Sequence, residues 1–178
     1  LADIKILSQK IAAGGDDEIL GITITKEGGA KRDASAQEIL VAISFLPPDE
    51  ILLSSLDQEI EYGMKRNSTG VSGYFFGTVH AYAPAYAGLL DWEKNLARDL
   101  LPAINPSFPR KQILELRERP FKDERINGTD ARVLRDPDGV MLFAYAIVSK
   151  HTLIIAGNDI VLRSLIERAS VTQEKLEK

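Results

Sequence analysis

The stretch Tyr86 to Ile104, YAGLLDWEKNLARDLLPAI, holds the most promising chemical group in the chain. Tyr86, Leu89, Leu90, Leu96, Ala97, Leu100 and Leu101 fall on one side of a helix turning about 100° per residue. Glu93 projects near the middle of that side. A carboxylate enclosed there is costly unless a cation or hydrogen-bond donors meet it. Glu93 has two readings. It could be an enclosed acid or base for proton transfer. It could instead be structural, an ion-paired or hydrogen-bonded acid that ties the helix to a strand, with Arg or Lys from the sheet as its partner. A catalytic carboxylate usually works with a second acid, a metal or a nucleophile, and no other acid is misplaced in the same way.

The second candidate set is aromatic. Trp92 lies beside the predicted stripe. It could be an exposed anchor for a partner, or a boundary residue half-covered by a loop. Tyr74, Phe76, His80 and Tyr82 alternate along a strand pattern. They could line a stacking surface for sugars or bases, although core packing explains such a row as well. His80 and His151 belong to different elements and lack acids at ligand spacing, so no metal is expected. Asp136-Pro137-Asp138-Gly139 lacks the further acids of a calcium loop and reads as a hairpin turn. The chain has neither a nucleophile elbow nor a phosphate-cradling loop, and no cofactor is expected.

These residues need elements to hold them. Residues 1–13 carry apolar side chains at helical spacing, and residues 19–26 alternate like a strand. Ser35 with Glu38 forms a capping box for a helix over 36–45. Pro47 and Pro48 stop that helix and start another reaching Leu56. Residues 59–66 and 73–82 read as a hairpin joined at Asn67-Ser68-Thr69-Gly70. Pro102 should kink or end the Glu93 helix near Leu101. Residues 105–125 are irregular, with a short strand or helical turn at Ile113 to Leu116 and an extended run from Pro120. Residues 131–134, 140–148 and 152–156 make a three-strand meander, and a helix over 159–169 follows Asn158. Residues 171–178 read as a frayed tail. The expected fold is a single α+β domain, a mostly antiparallel sheet with its helices packed on one face.

Composition narrows the function classes. At 178 residues the chain suits roughly one domain. A net charge of −4 and a pI near 5.3 give no footprint for nucleic acid. With no cysteine, disulfides, thiolate metal sites and cysteine nucleophiles are out; the cytosol and a bacterial extracytoplasmic space fit equally. The longest apolar run, Val140 to Val148, is far short of the roughly 20 residues that cross a bilayer. The chain begins at Leu1 rather than Met, so a longer precursor is expected.

Two runs carry a resemblance. One is Gly88-Leu89-Leu90-Asp91-Trp92-Glu93-Lys94 with Arg98-Asp99-Leu100. The other spans Phe121-Lys122-Asp123, then Asp130 to Asp136, Gly139 and Leu142-Phe143-Ala144-Tyr145. Together, over residues 19–169, they resemble the soluble domain of uncharacterised membrane-anchored proteins from small-genome bacterial lineages. The resemblance implies an extracytoplasmic domain behind an anchor upstream of Leu1, and it assigns no activity to any residue. The expectation is therefore a non-enzymatic domain that binds or assembles an envelope protein or polymer, with an exposed apolar or aromatic patch near Trp92. The alternative is a hydrolase of an envelope polymer using Glu93. A soluble intracellular regulatory domain is the third class.

Overall fold

A computed structural model describes residues 20–21, 49–67 and 70–176. The helices expected over 1–13 and 36–45, and most of the strand over 19–26, lie outside these residues. The elements are β1 (Leu20–Gly21), α1 (Glu50–Ser54), β2 (Leu56–Asn67), β3 (Gly70–Val79), α2 (Tyr82–Ile104), α3 (Arg110–Ile113), a 3-10 turn (Leu114–Glu118), β4 (Lys122–Ile126), β5 (Thr129–Arg135), β6 (Met141–Val148), β7 (Thr152–Ala156) and α4 (Asp159–Leu176). The strands form one sheet in the order β1-β2-β3-β7-β6-β5-β4, every neighbouring pair antiparallel. The protein is thus an α+β fold on an antiparallel sheet.

The meander has four strands, not three. Asn127-Gly128 is a two-residue loop between Ile126 and Thr129, which are register partners. Both loop residues take positive φ, 47° and 78°. That left-handed pair matches the twist of the flanking strands, and Asn-Gly adopts it at low cost. The run from Pro120 therefore becomes β4.

Period-two alternation sends each strand's side chains to opposite faces. Phe75, Phe143, Tyr145, Leu153 and Ile155 join α2's Leu89, Trp92, Leu96 and Leu100 in one core. Tyr74, Ala144, Ala146, Ile154 and Ala156 join α4's Val161, Leu162, Leu165 and Ile166 in another. The helices thus cover both faces, which corrects the expected one-face arrangement. A long helix after β3 and another after β7 are each apolar on one side, and each needs a sheet face to cover.

Two proline and terminus expectations also change. Pro102 sits inside α2, which runs on to Ile104. So near the end, the lost N–H bond and the ring's crowding cost only part of the last turn. Residues 171–176 are helical and extend α4 beyond the expected 159–169.

Candidate functional site

Glu93 reaches from α2 to the sheet. Arg132 of β5 donates to it twice, Nε to Oε1 and Nη2 to Oε2, each at 2.8 Å. The Tyr145 hydroxyl of β6 donates to the same Oε1 at 2.7 Å. Arg132 also donates through Nη1 to Asp123 of β4 at 3.0 Å. The Glu93 and Arg132 side chains are only 15% and 18% exposed, while Asp123 is 82% exposed. The hydrogen bond from Arg132 to Glu93 pushes the guanidinium pKa up. Burial first, then the bond to Glu93, push the Tyr145 hydroxyl up as well, so it serves as a donor. Both carboxylate oxygens are occupied by charge-assisted bonds of good geometry.

The helical stripe around Glu93 is rotated from the expected one. The buried face of α2 keeps Leu89, Leu96, Ala97, Leu100 and Leu101 of the expected stripe and extends past Trp92 to Ala85, Gly88 and Asp99, so its centre lies roughly 60° toward Trp92 at about 100° per residue. Leu90 is 38% exposed. Glu93, with 15% of its side chain exposed, lies toward one border of that face, and the fully enclosed acid is Asp99, at its other border. Trp92 donates from Nε1 to Asp99 Oδ2 at 2.9 Å, and Arg98 Nε donates to Oδ1 at 2.9 Å. Trp92 is 6% exposed. It belongs to the core, is no surface anchor, and contributes to no exposed patch. Asp99 was legible only through Trp92, Leu96, Asp99 and Ala103, which share one row once the stripe is centred there.

The aromatic row separates into unlike environments. Tyr74 is fully buried and donates from its hydroxyl to Glu61 Oε1 at 2.6 Å. Its ring crosses β2 above Gly63, where a Cβ would lie 2.5 Å from it. Glu61 takes two further bonds from Arg168 of α4, at 2.9 and 2.7 Å. The Arg168 guanidinium lies 4.3 Å from the centre of the Phe76 ring. The bond from Arg168 holds Glu61 below its ordinary value, and burial with the Glu61 bond raises Tyr74. His80 is exposed in the bend after β3, 3.6 Å from Asp57. Tyr82 opens α2. The row is not one stacking surface.

Tyr82 instead borders a cleft of about 920 Å³ at one end of the sheet. The β5–β6 ladder stops at Ala131–Ala146. Meanwhile β4–β5 pairing continues to Ile126–Thr129, and β6–β7 pairing continues to Val148–Thr152. Two hairpins diverge there, and the cleft is the gap between them. Arg132 and Tyr145 line it, while Glu93 lines a separate recess of about 60 Å³ with Lys94, Ala97 and Phe121. No family model, curated protein or solved structure matches this chain. Function must therefore be argued from the cleft. The rings of Tyr82 and Tyr86 stack at 5.9 Å with 12° between planes, and Lys150 Nζ stands 5.9 Å from Tyr82. Burial, then the charge of Asp123, raise Tyr86. Among the described residues no three His, Asp or Glu side chains gather as metal ligands, and no helix is long and apolar enough to cross a membrane. Alternation marks residues as strand but not where two strands part, so the sequence pointed to none of the gap, Tyr86 and Lys150.

Proposed function

We propose that this is a non-enzymatic binding or assembly domain of the cell envelope, and that the cleft between its diverging hairpins receives the ligand. The observation that carries this reading is the β5–β6 ladder ending two residues short of its neighbours. A gap of this size falls in the roughly 300–1,000 Å³ range of ligand sites. The Glu93–Arg132–Tyr145 cluster forms its inner support. The hydrolase reading is weaker, because both Glu93 oxygens accept bonds and the side chain stands outside the cleft lining.

The extracytoplasmic, anchored placement rests on the sequence resemblance. The codons upstream of Leu1 test it. A run of about 20 apolar residues there supports the anchored placement, and a charged, aperiodic leader removes it. The binding reading is tested by co-sedimentation with purified envelope polymer and with envelope protein fractions. Asp130→Trp, on the exposed lip of the cleft, should abolish retention without changing the circular dichroism spectrum. Retention equal to the parent's, or no retention of the parent at all, refutes it.

A further inference from the structure

If the cleft is the binding site, its lining also restricts the class of ligand. We infer that it takes a short run of uncharged sugar units, an inference that rests on the binding reading. Its charged lining balances, Asp123, Glu124 and Asp130 against Arg125, Arg132 and Lys150. No excess of cations draws a phosphate or a uronate, and no excess of anions draws a polyamine. The ligand must instead both donate and accept hydrogen bonds.

The backbone makes the same demand. Along an antiparallel strand, successive residues turn their N–H and C=O to opposite neighbours. Past Ala131 and Ala146, β5 and β6 no longer pair. One residue of Thr129–Asp130 and one of Ile147–Val148 therefore direct donor and acceptor into the gap. Two residues per strand are too few for an added peptide strand, which is held by a run of main-chain bonds and alternating side-chain pockets. They are enough for hydroxyl groups. Tyr82, 38% exposed, adds an aromatic platform for the C–H face of a pyranose. Lys150 stands over it near the ~6 Å outer limit of cation–π attraction, so it moves aside at little cost.

The test is a titration of the ¹⁵N-labelled chain, read by amide chemical shifts. The neutral probes are tetrasaccharides of β-1,4-linked glucose, β-1,4-linked N-acetylglucosamine and α-1,4-linked glucose. Tetragalacturonate and an extended Thr/Val hexapeptide serve as the charged and peptide probes. The expected result is saturable shifts at Asp130 and Ile147 with at least one neutral sugar. Tyr82→Ala should weaken that binding roughly tenfold with spectral dispersion intact. Raising the salt from about 0.05 M to about 0.5 M should change it by less than about twofold, because the ligand carries no charge. If only the galacturonate or the peptide shifts these amides, the sugar inference falls and the binding cleft stands. If no probe shifts them, both fall.

Discussion

Removing Arg132 should leave Glu93 with Tyr145 as its one remaining donor among the described residues, since both other bonds to the carboxylate come from that guanidinium. A fully buried charge stripped of its partner costs about 3–5 kcal/mol. Glu93 keeps 15% exposure, so water recovers part of that, and Arg132→Ala should cost about 2–3 kcal/mol. Asp123→Ala removes the third, 82% exposed member of the cluster and should cost about 0–1 kcal/mol. The double variant Glu93→Leu/Arg132→Met should cost about 2 kcal/mol less than its single changes summed. Urea unfolding reads all of these, with Trp92 as the chain's one tryptophan and, at 6% exposure, a buried reporter. At 1 M salt, where screening reaches about 3 Å, the Asp123 effect should vanish and the Arg132 effect should persist. Equal costs for Arg132→Ala and Asp123→Ala, or additive single changes, would refute the claim that this pair fastens α2 to the sheet.

Asp99→Ala should cost about 2–4 kcal/mol, because it strands the buried Trp92 N–H and an arginine together; urea unfolding and the near-ultraviolet signal of Trp92 should both register it. Gly88→Ala should destabilise by about 1–3 kcal/mol despite alanine's better helix propensity, because the new Cβ would lie 2.7 Å from Leu52 Cβ; a raised melting temperature would contradict this. Glu61 titrates below its ordinary 4.5 in the folded state, so its contribution is present above that pH and lost as pH falls through the folded value. Arg168→Ala should therefore flatten the stability–pH curve below pH 4.5, as followed by urea midpoints between pH 3 and 6.

The parts of the fold that showed in the sequence were those fixed by local chemistry. Gly70, Asn127-Gly128 and the Asp136 turn punctuate strands whose alternation is plain, and they lie where the turns are found. The extended run from Pro120 was visible, but its charged residues hid a pairing partner. Lys122 to Arg125 form an edge strand, where solvated charges are common. A leucine count finds the Leu89, Leu96, Leu100 and Leu101 side of α2's buried face but not its Gly88, Trp92 and Asp99 side. Gly88 adds nothing to a hydrophobic tally, yet it is buried on α2 with Leu52 packed where its side chain would lie. An arginine partner for Glu93 could be anticipated as a type. Arg132 could not be singled out, since it depends on which strand lies under the helix.

Glu93 on α2 meets Arg132 on its face of the sheet, while Arg168 on α4 meets Glu61 on the other. The polarity is reversed between the two sides. Were the helices exchanged during assembly, acid would confront acid and guanidinium would confront guanidinium. Hydrophobic collapse alone does not tell one greasy helix from another. The reversed charges penalise the inside-out arrangement, which would set like charges against each other on both faces.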